Sequence, residues 1–469
     1  MLKLLHCSDL HLGSGLHHGR VNPLSGFNTR LEDVLNSFQT CVDRALKEPA
    51  DLFLFGGDAF PDATPPPYIQ DCFAQQLRRL VDAHIPVVLL VGNHDQHRQG
   101  EGGASLSLYR TLGVPKVVVG DRLGTHRIET AAGPVQIVTL PWLTHSTLMT
   151  RPEMADSSLS DVKHALLQRL GLALEAEIRQ LDPELPHLLL AHAMIDTAQY
   201  GAERFLAVGK GFSLPLSLIA RPCFDYVALG HVHRHQILCT DPPVAYSGSP
   251  ERVDFSEEGE EKGYLWVEID RPHTRLTFVP LPARRFLTLA VDVSKSETPE
   301  TDLLQTIATA AIPEAIVRLR YKFHPSQVGL IDESALHAAL APAHSYQIQS
   351  DLVSQLVPPR LPQLVEDTPL SPLEALAVYL DWAVPPTNNS TPPSSTTAND
   401  RQSKHQSNQS NDPSDLQAWR SDLLAAAESL LEEEWNPNPS PQTLPKTSEG
   451  KTPYHLNQND RQLKLFSEF

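Results

Sequence analysis

The sequence predicts a layered α/β fold for residues 1–275, a smaller α+β unit after it, and a C-terminal helical segment interrupted by a disordered insert. Three observations carry that expectation. Short apolar runs recur through the first half and each closes on a polar loop: "LFLFGGD", "PVVLLVGNHD", "PVQIVTLPW", "HLLLAHAMI" and "DYVALGHVH". Amphipathic stretches with helical spacing lie between several of them, over residues 30–47 and 68–83. Buried strands alternating with helices build a layered sheet. Every chemistry-bearing cluster follows an apolar run, so the clusters should meet at one edge of that sheet.

The later elements follow in order. Within 280–365, "RRFLTLAVDV" reads as a strand, "DLLQTIATAA" as a helix and "AIVRLRYKF" as a strand. "DESALHAAL" is then a helix and "SYQIQSDLV" a strand, which completes a small α+β unit. In 366–384, "LSPLEALAVYLDWA" opens with serine, then proline at the first helical position, then glutamate, which is a helix start. Residues 385–413 are dominated by Pro, Ser, Thr, Asn and Gln, bury too little apolar area to repay ordering, and should be disordered. Residues 414–436, "DLQAWRSDLLAAAESLLEEEW" and its flank, return to helical spacing. Residues 437–469 are a polar tail that turns apolar in "NDRQLKLFSEF".

A chain of 469 residues with 41% hydrophobic content should hold two or three domains. Its first apolar run is interrupted by Asp9 and His11, too soon for a signal peptide or a membrane span. Cys7, Cys41, Cys72, Cys223 and Cys239 are scattered and never in C-x-x-C spacing. That usage fits a reducing cytoplasm and argues against a disulfide framework or a zinc knuckle. No G-x-x-x-x-G-K-[ST] phosphate loop is present. The net charge of −18 sits badly with a polyanionic substrate unless local cations hold it.

The polar ends of the strands read, in order, Asp9-Leu10-His11, Gly57-Asp58, Gly92-Asn93-His94-Asp95, His192 and Gly230-His231-Val232-His233. Singly each is ordinary, since an aspartate after glycine is commonly a turn residue. Together they supply imidazole, carboxylate and amide donors, a mixed N/O set suited to manganese, iron or zinc. This ordered set resembles the calcineurin-like metallophosphoesterase superfamily. Residues 246–269, "YSGSPERVDFSEEGEEKGYLWVEI", are similar to a segment of its SbcD nuclease subfamily. The resemblance covers residues 1–382 and resumes near 415.

The resemblance implies a layered metallophosphoesterase sandwich over 1–275 and a capping domain over 280–365 that positions DNA above the metals. It implies one divalent cation on Asp9, His11, Asp58 and His233, and a second on Asp58, Asn93, His192 and His231, most simply both Mn²⁺. Asp58 would bridge the two ions, about 3.5–4 Å apart. His94 would be no ligand but a general acid at the leaving oxygen of an in-line hydrolysis, with Asp95 orienting its ring. Two dications against two ligand carboxylates, Asp9 and Asp58, leave a charge of about +2 to attract a phosphodiester in an acidic chain. Binding along a duplex would add basic patches, with 283–285 and 318–323 as candidates.

The subfamily often carries His or Asp three residues after the bridging aspartate; this chain has Pro61 there. That substitution leaves the balance of exonuclease and endonuclease activity open. His235 has no counterpart among the ligands and reads as an ordinary polar residue.

The implied activity is exo- and endonucleolytic hydrolysis of duplex DNA ends or hairpins in repair and recombination. The implied partners are DNA and an SbcC-type coiled-coil ATPase that would seat the helices 366–384 and 414–436, in a heterotetramer built on a homodimer. Gln462, Leu463, Leu465 and Phe466 of "QLKLF" resemble the short bacterial motif that binds the sliding clamp. Two rivals stay open at this point. One is another metallophosphoesterase, although Gly57-Asp58-Ala59-Phe60-Pro61-Asp62-Ala63 lacks the G-D-x-x-D-R-G of protein phosphatases. The other is a scaffold linking the ATPase to the clamp.

Overall fold

A computed structural model describes residues 1–97, 103–143, 159–201 and 213–353, with three isolated positions beyond. Apart from those three positions, the expected helices in 366–384 and 414–436, the insert 385–413, and the tail with Gln462, Leu463, Leu465 and Phe466 lie outside the described residues.

The chain begins β1 (Leu2–Cys7), α1 (Thr29–Lys47), β2 (Leu52–Phe55), α2 (Pro67–Asp82), β3 (Val87–Leu90), α3 (Ser107–Thr111) and β4 (Val117–Gly120). β1 to β4 pair in parallel, in order. The uninterrupted apolar runs of β2 and β3 are buried on both faces, as parallel strands between layers must be. Asn28 caps α1 by accepting the Arg30 amide at 2.9 Å. Leu31, Val34, Phe38, Cys41, Val42 and Ala45 are its buried apolar stripe.

The second sheet uses β5 (Gly124–Thr130), β6 (Gly133–Leu140), β7 (His187–His192), β10 (Tyr226–Gly230), β11 (Gln236–Thr240) and β12 (Pro243–Tyr246). Its order is β11-β12-β10-β7-β6-β5. Between these strands lie α4 (Leu159–Ile178), the short pair β8 (Met194–Ile195) and β9 (Ser213–Leu214), and α5 (Leu216–Ile219). The chain then returns to the first sheet with β13 (Gly263–Asp270) and β14 (His273–Pro280), giving β14-β13-β1-β2-β3-β4. Leu4, Leu54, Val88 and Leu90 of one sheet join Leu188, Leu190, Ala228 and Ala245 of the other in a common core. The expected α/β sandwich is what forms.

The α+β unit is β15 (Phe286–Asp292), α6 (Pro299–Thr309), β16 (Ile316–Phe323), α7 (Glu333–Leu340) and β17 (Ser345–Leu352). All five elements match the sequence expectation. Its three parallel strands and two helices share a separate core around Leu289, Leu303, Leu319 and Leu336. Residues 1–353 form one compact unit.

The junction of the two lobes takes up Arg284 and Arg318 from the two basic-patch candidates. Arg284 forms a two-pronged ion pair with Asp33, at 2.5 and 2.7 Å, and Arg285 donates to the Pro313 carbonyl. Arg318 lies over the Phe255 ring at 4.3 Å and bonds Thr288. These cations hold the lobes and their own strands together. Of the two candidate patches, the exposed cations are Arg285 and, on β16, Arg320 and Lys322.

Candidate metal centre

β1, β2, β3, β7 and β10 all deliver their following loops to one edge of the sandwich. Asp9 and His11 follow β1, Asp58 follows β2, Asn93 and His94 follow β3, His192 ends β7, and His231 and His233 follow β10. Backbone bonds lace the first two loops: Gly56 N to Cys7 O (2.8 Å), Asp9 N to Gly57 O (2.9 Å) and His11 N to Asp58 O (3.1 Å).

The loops bend sharply at the site. Asp9, His11, Asp58 and His231 have φ of 56°, 46°, 55° and 104°, which L side chains adopt at a cost of about 1–3 kcal/mol each. β10 therefore ends at Gly230, and the Gly-His-Val-His run is a loop rather than an extended strand with both rings on one side. A Cβ on Gly92 would lie 2.6 Å from the Asp58 amide nitrogen, so only glycine allows β3 to pass this close to Asp58.

All seven expected ligands converge. Asp9, His11 and His233 bring donor atoms within 4.8 Å of one another, and so do Asp58, His192 and His231. Asn93 joins the second group: its Oδ1 is 3.0 Å from His192 Nε2 and 2.9 Å from His231 Nδ1. Asp58 stands between the groups, with Oδ2 3.3 Å from His192 Nε2 and 3.8 Å from His11 Nε2. His94 forms a third group with His11 and Asp58.

The polar surroundings set the charge of each group. Burial opposes ionisation of Asp58, but the His192, His94 and His11 rings override it and hold its carboxyl well below the usual range. Burial disfavours the His192 cation, yet Asp58 and Asp9 raise its pKa to about 9. Burial pushes Asp9 up, and it keeps His11 and His231 neutral. Asp9 accepts the His231 amide at 3.0 Å and the Ser8 hydroxyl at 2.6 Å.

These residues fit a pair of divalent cations. His231 turns Nδ1 toward Asn93 Oδ1, the same oxygen that His192 Nε2 faces. The Nε2 atoms of His11 and His233 face each other at 3.1 Å. Roughly 3 Å is the spacing of neighbouring ligands around one ion with bonds near 2.1 Å. When bound, the cations would supply Lewis-acid stabilisation of a phosphoryl group and an activated water.

The expected role of Asp95 is corrected. Its carboxylate does not touch the His94 ring; it accepts the amides of Asp58 (2.9 Å), Ala59 (3.1 Å) and Gly92 (3.0 Å) and the Ser105 hydroxyl. The His94 ring is held instead by the Pro61 carbonyl, 2.8 Å from Nδ1. Burial and the Asp58 charge raise the Asp95 pKa to about 7.

Three further groups at the site escape the sequence reading. Trp142 stacks on His231, with ring centroids 4.6 Å apart. Ser247 bonds Ser8, the partner of Asp9, at 2.8 Å. Glu257 lies 2.7 Å from His233 Nδ1. His235, set aside from the ligands, bonds the Tyr246 carbonyl and stacks on Phe278.

Two nitrogen-and-oxygen donor groups sharing one aspartate, on the loop edge of an α/β sandwich, define a metal-dependent phosphoesterase, a hydrolase. The sequence narrows that class. Residues 2–235, about half of the chain, match the calcineurin-like phosphoesterase family, and the chain belongs to it. Solved structures give distant likenesses. A dimetal phosphatase from Danio rerio is 11% identical, with 59% of this chain and 95% of that chain covered and a TM-score of 0.35. The TT1561 protein of Thermus thermophilus is 15% identical, covering 59% and 98%, with a TM-score of 0.31. Purple acid phosphatase PPD1 of yellow lupin (Lupinus luteus) is 12% identical, covering 60% and 51%, with a TM-score of 0.35. The family assignment rests on the sequence match and the site geometry, not on these likenesses. Among the described residues no helix is long and apolar enough to cross a membrane.

Proposed function

We propose that this phosphoesterase is a DNA nuclease of the SbcD type, hydrolysing phosphodiesters at duplex ends or hairpins with an SbcC-type ATPase as partner. One observation supports the reading above the others. Residues 246–269, which carry the likeness to that subfamily, join the metal centre to the α+β lobe. Glu257 bonds His233, while two residues earlier Phe255 packs on Phe286 of β15 at a centroid distance of 4.9 Å. Glu258 accepts the Thr288 amide of the same strand at 2.9 Å. A lobe tied to the metal loops in this way suits a substrate longer than one phosphate.

In this reading Asp9, His11, Asp58 and His233 hold one ion, and Asp58, Asn93, His192 and His231 the other, with Mn²⁺ the expected metal. The Pro61 carbonyl can only accept, so His94 Nδ1 carries a proton and Nε2 is the ring atom left for the substrate. The His94 imidazolium would protonate the leaving 3′ or 5′ oxygen as the P–O bond breaks. Docking of 366–384 and 414–436 on the ATPase, dimer formation, and clamp binding by Gln462, Leu463, Leu465 and Phe466 belong to the same proposal.

The test is hydrolysis of end-labelled duplex and hairpin DNA with Mn²⁺, with and without the ATPase. Metal-dependent cleavage that Asp58→Asn abolishes supports the reading. Hydrolysis of simple phosphate esters without any cleavage of DNA would favour another phosphoesterase. Inactivity on both substrate classes, with Asp58→Asn indistinguishable, would favour the scaffold.

A further inference from the structure

We infer that Glu257 is a positioning residue for the metal ligand His233, and that a fully buried lysine, Lys262, locks it in place. The inference rests on the metal-dependent phosphoesterase assignment and not on DNA as substrate. Glu257 Oε1 lies 2.7 Å from His233 Nδ1, and a carboxylate there fixes the proton on Nδ1. The unprotonated ring nitrogen is then Nε2, the atom that faces His11 Nε2 across 3.1 Å. The bond thus sets both the tautomer and the ring orientation that a cation shared by Asp9, His11 and His233 requires.

Lys262 in turn holds the Glu257 carboxylate. The residue is 2% exposed, and its ammonium carries three N–H donors. The structure gives it three acceptors: Glu257 Oε2 at 2.6 Å, Glu260 Oε2 at 2.8 Å and the His233 backbone carbonyl at 3.1 Å. Lys262 therefore grips both the backbone of the ligand and the carboxylate that orients its ring. Glu257 Oε2 also accepts the Val253 amide at 3.1 Å, so each of its oxygens is committed. A buried cation costs heavily unless it is paired and hydrogen-bonded, and all three of these acceptors are grouped around His233 and its carboxylate partner. Glu257, Glu260 and Lys262 together add one net negative charge behind the first cation's ligands.

The test separates positioning from folding. Removing Glu257 alone leaves Lys262 half-compensated and can fail to fold, so the decisive protein is the double variant Glu257→Leu/Lys262→Met, which removes both charges and the acceptor for His233 Nδ1. Mn²⁺ binding to the metal-free chain is followed by calorimetry and electron paramagnetic resonance, with circular dichroism as the control for folding. The expected result is about 10–100-fold weaker binding at one of the two ions, with the other unchanged. Wild-type affinity at both ions in the folded double variant would overturn the inference, as would equal loss at both. A wild-type chain that binds no Mn²⁺ would overturn the metal assignment along with it.

Discussion

The Nδ1 of His94 lies 2.8 Å from the carbonyl oxygen of Pro61, so a residue whose side chain can neither bind metal nor donate a proton still orients the ring beside the site. Because the contact is made by the backbone, Pro61→Ala should preserve it. His94→Gln should lower hydrolysis of alkyl phosphodiesters about 10²–10⁴-fold, the usual share of a general acid. The same variant should lose far less on a p-nitrophenyl diester, whose leaving group needs no proton. Rates on the two substrates, with Mn²⁺ binding measured alongside, check this. Equal losses on both, with one ion lost, would make His94 a ligand.

Asp58 contacts both histidine groups through Oδ2, at 3.3 Å to His192 and 3.8 Å to His11. Asp58→Asn should therefore weaken both ions, whereas Asn93→Ala should weaken only the ion shared with His192 and His231. Turnover should fall at least about 10³-fold in Asp58→Asn, since both charge stabilisation and water activation depend on the pair. Metal stoichiometry after dialysis is the measurement, and the loss of only one ion would refute a bridging role.

Asp95 accepts three backbone amides from two loops, so its removal should be read in stability before it is read in catalysis. Asp95→Asn turns an amide NH₂ toward N–H donors and leaves at least one buried donor unpaired. The expected cost is about 1–3 kcal/mol in chemical denaturation of the metal-free protein. A residue that only oriented His94 would leave that value unchanged.

Much of this site is legible in the sequence, for a physical reason. Ligands that sit at strand ends inherit the pattern of the strands, so "LFLFGGD" announces both β2 and Asp58. The α+β lobe is equally legible because each element buries one face of its own small core. What stays hidden is made by backbone and by long-range pairing. The Pro61 carbonyl has no sequence signature, and neither do the positive φ angles of Asp9, His11, Asp58 and His231. The glutamates of 246–269 carry no sequence sign of their separate tasks, yet Glu257 faces His233, Glu258 bonds β15 and Glu260 pairs with Lys262. Arg284 reads as a DNA contact until Asp33, far away in sequence, is found to claim it.

At the lobe junction His18 is buried with its ring edge-on to Phe255 and Phe286 at 5.5 and 5.6 Å. Burial, with the His17 and Arg30 charges adding to it and Asp254 opposing, lowers the His18 pKa from 6.5 to about 4. The unfolded chain takes up that proton at higher pH than the folded one. The stability His18 contributes is thus fully present above pH 6.5 and is lost as pH falls through that value toward about 4. Thermal unfolding of the metal-free protein should show Tm falling across that interval. His18→Gln removes the titrating group, and its Tm should fall less steeply over the same range. Parallel curves for the two proteins would show that the proton is taken up elsewhere, and that the Phe255–His18–Phe286 contact does not sense pH.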